Sequence, residues 1–347
     1  MKNRVQTFII IGVCVLLLVG CKGGNINYPA VSPAENHRIQ IGLTFDSFVI
    51  ERWQRDRDVF VSTAKELGAD VNVQIASGSV KEQIDQIEYF IDKEMDVIVI
   101  IPTDADLLGD AVFKAKQKGI KVIAYDRLLK NSNVDLYISF DNEKVGTLMG
   151  QAIAKNTPEQ GEIALILGSE VDHNVLLVEE GIEKVIQKTS LKIVSKDYAK
   201  GWVAEEAFMA VNRTLKESPY ISGLICGNDD LASQAIKALS EHRLAGRVTV
   251  VGQDADLNAC QRIVEGTQTM TVYKSIDQLA KKAAQYAVML GKEEEIPLKS
   301  SFFDGTYHVP YENLEPIAVT KENMDEVIID GGFHLREEVY LNVPGGN

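Results

Sequence analysis

Short apolar runs and longer stretches with apolar residues at helical spacing alternate along the chain from residue 38 almost to its end. Residues 38–45 open as a strand, and 51–67 follow with Val59, Phe60, Ala64 and Leu67 on one helical face. Val71, Val73 and Ile75 alternate as a second strand, and residues 80–93 place Ile84, Ile87 and Ile91 together. Residues 97–101 form a continuous apolar strand, 105–118 read as helix, and 120–124 and 136–140 as two more strands. Strict alternation of strand and helix predicts an α/β chain with parallel sheets wrapped by helices.

After residue 140 the pattern restarts. Helices at 143–155, 175–187, 204–215, 231–239 and 257–265 alternate with strands at 162–167, 191–194, 223–226 and 248–252. The halves also match locally. Residues 96–127 and 222–256 both run from apolar strand through polar loop, helix and glycine-containing turn to a second apolar strand and an acidic loop. The expected fold is two doubly wound parallel-sheet domains, one built from 38–140 plus 274–303 and the other from 141–273 plus 304–340. A strand at 269–273 and a helix at 276–290 would carry the chain back to the first domain. Connectors near Phe140, Val272 and Phe303 would then form a multi-strand hinge.

The apolar run 120–124 ends on Tyr125, Asp126 and Arg127, and the run 248–252 ends on Gln253, Asp254, Ala255 and Asp256. Ligands of open α/β sheets sit outside the carboxyl ends of the strands. A carboxylate beside a guanidinium offers acceptors and forked donors together, which suits a ligand made of hydroxyls. A surface ion pair after each strand is the alternative, but two strand-end carboxylates from two similar halves point to one shared cleft. Trp53 and Trp202, the two tryptophans of the chain, both lie in polar contexts beside helix starts. They suit either ordinary packing or stacking on the apolar face of a sugar ring. Asn228, Asp229 and Asp230 follow the strand 223–226 and suit helix capping as well as ligand contact.

Composition narrows the classes. The chain has 347 residues, 45% of them hydrophobic, enough for a sizeable core, and its length favours two domains. A net charge of −14 argues against a nucleic-acid partner, which needs a clustered basic face. Lys2 and Arg4, an apolar run over 8–19, and Gly20 before Cys21 read as a signal of the lipoprotein kind over 1–20. Cys21 is then the lipidation site, 21–37 a tether, and the mature protein an outward-facing molecule on the cell membrane. Cys226 and Cys260 suit buried packing better than a disulfide, and the five histidines show no metal-site spacing, so no metal is expected.

Enzyme readings find little support. There is no G-x-G-x-x-G after the first strand and no phosphate-cradling G-x-x-x-x-G-K-[ST]. Gly168-Ser169 lacks the second glycine of a nucleophile elbow. Asp126 and Asp254 as a glycosidase pair would need one carboxyl held protonated, and Arg127 and Lys274 should keep both ionised.

Arg52-Trp53, "AYDR" at 124–127, "YISFDNEKVG" at 137–146, Gly201-Trp202, Asn228-Asp229, "GQDAD" at 252–256 and "TQTMTVYK" at 267–274 stand in this order. Over about 38–334 the chain resembles the D-xylose-binding protein family of ribose-type periplasmic binding proteins. The resemblance implies a two-domain binding protein, without catalysis or cofactor, that closes on a monosaccharide and delivers it to an ABC permease. The family's sugar contacts fall on Arg52, Trp53, Asp126, Arg127, Asn142, Trp202, Asn228, Asp254 and Lys274. Trp53 and Trp202 would stack, Asp126, Asn228 and Asp254 would accept from hydroxyls, and Arg52, Arg127 and Lys274 would donate. His173 and Glu206 depart from the asparagines expected of relatives near the cleft rim. The same fold serves a second task, in which the sugar-bound form engages the extracellular domain of a membrane histidine kinase.

Overall fold

The computed structural model describes residues 38–343, so the leader, the tether and Cys21 lie outside the described residues. Five parallel strands, β1 (Gln40–Phe45), β2 (Asp70–Ile75), β3 (Val97–Ile100), β4 (Lys121–Tyr125) and β5 (Leu136–Phe140), lie in the order β2-β1-β3-β4-β5. Helices α1 (Arg52–Glu66), α2 (Val80–Asp92) and α3 (Gly109–Gln117) connect them. Every residue of β3 is buried. Val97 and Val99 share a cluster with Phe60 and Ala64 of α1, while Ile98 and Ile100 pack with Phe90 of α2 and Val112 of α3. A strand covered on both faces has no polar side, which is why its sequence runs continuously apolar.

The second half repeats this plan. Strands β6 (Glu162–Leu167), β7 (Lys192–Tyr198), β8 (Gly223–Cys226), β9 (Thr249–Gln253) and β10 (Met270–Tyr273) lie in the order β7-β6-β8-β9-β10, all parallel. Helices α4 (Asn142–Asn156), α5 (His173–Ile186), α6 (Glu205–Glu217), α7 (Asp229–Glu241) and α8 (Leu257–Glu265) complete it. Cys226 and Cys260 are both free and buried. The two sheets make a doubly wound α/β fold in two parallel-sheet parts.

Helix α9 (Ile276–Gly291) returns to the first sheet, where Leu279, Ala283 and Ala287 join the cluster that holds Phe60 of α1. Strand β11 (Ser301–Phe303) then pairs antiparallel with β12 (His308–Leu314), and β12 runs parallel to β5. This corrects the expected boundary at 303/304, because residues 308–314 extend the first sheet rather than the second. Only β13 (Ile317–Val319) returns to β10 of the second sheet, so the third passage falls between Leu314 and Ile317 instead of near Phe303. The sequence of β12 hides it. Pro310 and Glu312 interrupt any apolar run, and Glu312 is held by Lys282 and Tyr286 of α9. Helix α10 (Arg336–Val339) packs on α8.

Helices α4 and α5 touch backbone to backbone. A Cβ on Gly146 would lie 1.8 Å from the Val178 carbonyl oxygen, and one on Gly181 would lie 2.0 Å from that of Glu143. Neither neighbour is a flexible side chain, so a methyl group there must part the helices. Gly181→Ala should therefore destabilise the fold by about 1–3 kcal/mol or more, read as a lowered melting temperature in calorimetry. An unchanged melting temperature would show that this contact is not tight.

Candidate functional site

The sheet edge repeats one device in both halves. Asp126, just after β4, has φ 61°, and its N–H donates to the Ile138 carbonyl of β5 at 2.8 Å. Asp254, just after β9, has φ 98°, and its N–H donates to the Val272 carbonyl of β10 at 2.8 Å. A non-glycine residue at positive φ is uncommon, and aspartate tolerates it better than most. Each chain turns sharply off its strand while one last ladder bond holds the turn.

Cations join these carboxylates. The Arg52 guanidinium donates through Nε and Nη2 to Asp56 at 3.1 and 3.2 Å, and through Nη2 to Asp126 at 2.9 Å. Its Nη1 stands 3.8 Å from Asp254 Oδ1, which Lys274 Nζ approaches to 2.8 Å. Arg127 meets Asp46, just past β1, at 2.6 Å and Asp172, just before α5, at 2.7 Å. All of these side chains are buried. Burial alone would raise the Asp126 carboxyl, but Arg52, Lys274 and Arg127 outweigh it and hold its pKa below the ordinary carboxylate value. A carboxylate kept ionised is an acceptor, not a general acid.

Several contacts join the halves directly. Asn174 of α5 donates to the Asp126 carbonyl at 3.0 Å, the Ala105 N–H donates to the Val171 carbonyl at 3.2 Å, and Arg55 of α1 donates to the Phe333 carbonyl at 3.0 Å. Between the sheets lies a cavity lined by residues of both halves. Trp53 lines it from α1, under the guanidinium of Arg52 at 4.5 Å. Trp202 lines it from a short turn in which Gly201 and Trp202 have φ 62° and 61°. The Trp202 ring lies against Gly168, where a Cβ would come within 2.2 Å of it. Gly168 is thus present because the indole needs its space. Arg127 Nη2 and Gln253 Oε1, both on residues lining the cavity, are buried without a hydrogen-bond partner in the protein. Native interiors seldom leave such atoms unpaired, and a ligand made of hydroxyls can satisfy both kinds.

Residues 41–295 match the periplasmic binding protein domain. The D-xylose-binding periplasmic protein of Haemophilus influenzae is 45% identical over 89% of this chain and 94% of its own. The chain belongs to the D-xylose-binding periplasmic protein family. The multiple sugar-binding periplasmic receptor ChvE of Rhizobium radiobacter is 29% identical over 86% of this chain and 92% of its own. A solved ABC transporter solute binding protein from Clostridium phytofermentans, with bound β-D-glucose, superposes with a TM-score of 0.79 at 27% identity, over 86% of this chain and 99% of its own. The fold is therefore that of a type I periplasmic binding protein, and the family is one of binding proteins, not enzymes.

The candidate contacts of this family member converge. Arg52, Trp53, Asp126, Arg127, Asn142, Trp202, Asp254 and Lys274 all line the cavity. Asn142, at the start of α4, donates to Ser139 Oγ and to the Phe140 carbonyl at 3.2 and 3.1 Å. Asn228 differs. Its Oδ1 caps α7 by accepting from the Leu231 N–H at 2.9 Å, while its buried Nδ2 has no protein partner, and the residue is not among those lining the cavity. Asp229 takes bonds from Thr271 and Gln268 at 2.7 and 2.8 Å. His173 packs on Phe302 across the two halves, and Glu206 stays half-buried in the first turn of α6; neither lines the cavity. Sequence reasoning missed Asp172, Asn174 and Gln253, which line the cavity too. Asp172 and Asn174 follow β6 as a helix cap, and Asp46 follows β1, so the strand-end rule that found Asp126 could have found them. Asp56, inside α1, carried no such signal.

Where the halves meet, Glu51, Asp230 and Asp256 bring carboxylate oxygens within 4.8 Å of one another. Burial pushes Asp229 up to about 7 and Asp230 up to about 6, and burial with the neighbouring carboxylates lifts Asp256 as well. The folded protein then holds protons that the unfolded chain releases near pH 4, so stability falls as pH rises through about 7. His173 and His334, lowered by burial, act in the opposite sense only below their ordinary range. The melting temperature should be higher at about pH 6.5 than at about pH 8, and Asp256→Asn should flatten the difference. A melting temperature that rises across that interval would contradict the assignment.

Proposed function

We propose that the protein binds D-xylose, or a closely related pentopyranose, in this cavity, through Arg52, Trp53, Asp126, Arg127, Asn142, Trp202, Asp254 and Lys274, with the unpaired Nδ2 of Asn228, next to the cavity-lining Gly227, as a further donor. The observation that carries the reading is the convergence of carboxylate acceptors, forked donors and two tryptophans from both halves on one cavity. A pyranose offers hydroxyls around its rim and an apolar face for an indole. The 45% identical relative is itself named for D-xylose. The chain folds as two sugar-binding domains around the cavity, and it acts outside the cytoplasm, handing the sugar to an ABC permease. A sensory task is the second reading, in which the sugar-bound form engages a membrane histidine kinase; it is favoured by the similarity to a protein named a receptor. Because the ligand meets groups from both halves, it stabilises the closed arrangement by its differential affinity for it.

Titration calorimetry across pentoses and hexoses tests the claim. Xylose should bind with a Kd near micromolar or tighter, about −8 kcal/mol, and ribose and glucose more weakly, because a hydroxyl matched to a buried group cannot be moved without loss. Trp202→Ala should keep the fold and lose on the order of 1–3 kcal/mol of binding. Equal binding of glucose would end the specificity claim. A radius of gyration that stays the same at saturating xylose would end the closure claim.

Lipid attachment at Cys21 follows from the leader and lies outside the described residues. Cys21→Ser should release the protein from the membrane fraction, and an unprocessed Met1 found by mass spectrometry in the native host would overturn the attachment.

A further inference from the structure

Arg52 does not hold its own position. Four side chains close a ring between α1 and the end of β4. The Tyr125 hydroxyl donates to Asp56 Oδ1, Asp56 grips Arg52 through Nε and Nη2, and Arg52 Nη2 donates to Asp126, the residue that follows Tyr125. Asp56 is 1% exposed and Tyr125 2%. Burial, with Asp56 beside it, pushes the Tyr125 phenol well above its usual pKa, so the hydroxyl keeps its proton and donates. Two fork positions of Arg52 are thus committed to Asp56, on the side away from Asp254, which Nη1 approaches only to 3.8 Å. A guanidinium held at one edge cannot turn in its plane, so its remaining N–H groups have fixed directions.

We infer that Asp56 and Tyr125 form a buried positioning pair, which touches no ligand and sets selectivity by fixing the Arg52 fork and, through it, the Asp126 carboxylate. This rests on the sugar reading above for what the fork recognises, but the restraint of Arg52 does not depend on it. Preorganised donors discriminate between hydroxyl patterns because a fork that cannot rotate cannot follow a displaced hydroxyl. Phe60 packs edge-on against the Tyr125 ring at 6.5 Å, so loss of the hydroxyl alone should leave the ring where it is.

Tyr125→Phe is the test, since it removes a single oxygen, whereas Asp56→Asn endangers folding. The variant should melt within a few degrees of the wild type and bind D-xylose roughly tenfold more weakly, the scale of one charge-assisted hydrogen bond. Across monodeoxy and epimeric pentoses, discrimination should shrink for the analogues altered at one hydroxyl and persist for the others. Combined with Arg52→Lys, Tyr125→Phe should add nothing further. NMR of the arginine side-chain N–H groups should show faster exchange at Arg52 Nε in Tyr125→Phe, with or without sugar. Unchanged affinity, or an equal loss for every sugar, would overturn the inference by leaving the pair no part in selectivity. If the wild type binds no pentose, the sugar reading fails separately, and the NMR comparison decides alone: unchanged exchange at Arg52 overturns the positioning role.

Discussion

A guanidinium withdrawn from water must be compensated on several sides, and at Arg52 the compensation comes from three carboxylates. Asp56 and Asp126 belong to the first half and Asp254 to the second. Removing one partner of such a buried pair costs about 3–5 kcal/mol, because the survivor is left charged in a poor solvent. The arrangement therefore specifies much around it. It fixes the first turn of α1 against the end of β4, keeps Asp126 ionised, and gives the second half a reason to meet the first through Asp254. Arg127, between Asp46 of the first half and Asp172 of the second, makes a bridge of the same kind.

The sheets serve these bridges. Strand orders β2-β1-β3-β4-β5 and β7-β6-β8-β9-β10 are copies of one plan, so both carboxyl edges present loops with the same left-handed turn after the fourth strand. Between the edges, the tight places are made by residues without side chains. Gly168 leaves room for the Trp202 indole, and Gly146 and Gly181 let α4 and α5 close up just behind the cleft. Rigid supports and a charged seam together shape the cleft before a ligand arrives.

The chemistry of the cavity also explains why it recognises rather than reacts. A general acid needs a carboxyl held neutral, and Asp126 is held ionised by three cations. Burial raises the pKa of Asp172, which lines the cavity and is bound to Arg127, and of Asp56, bound to Arg52, while Asp229, Asp230 and Asp256, also raised, do not line the cavity. Arg52 holds both oxygens of Asp56, and the two oxygens of Asp172 are taken by Arg127 and by the Asn174 N–H.

The alternation of strands and helices, the repeat of one half in the other, and the strand ends at Asp126 and Asp254 are legible in the amino-acid order alone. These are local signals: a strand buried on both faces has to be apolar throughout, and the polar residue that ends it marks the ligand edge. Arg52, Trp53 and Trp202 became legible by family resemblance, since nothing in their own neighbourhoods distinguishes a stacking indole from a packing one. The remainder depends on which elements folding brings together. Strand β12 joins the first sheet because β5 and α9 give Glu312 and Val309 their partners, and no property of residues 308–314 foretells it. Asn228 spends its oxygen on a helix cap, a choice open until the helix start is placed. Asp56 reads as an ordinary helix-surface carboxylate and becomes the anchor of Arg52 only when Tyr125 from another element closes over it. Burial and pairing are properties of the partners that folding brings, and a single chain position does not carry them.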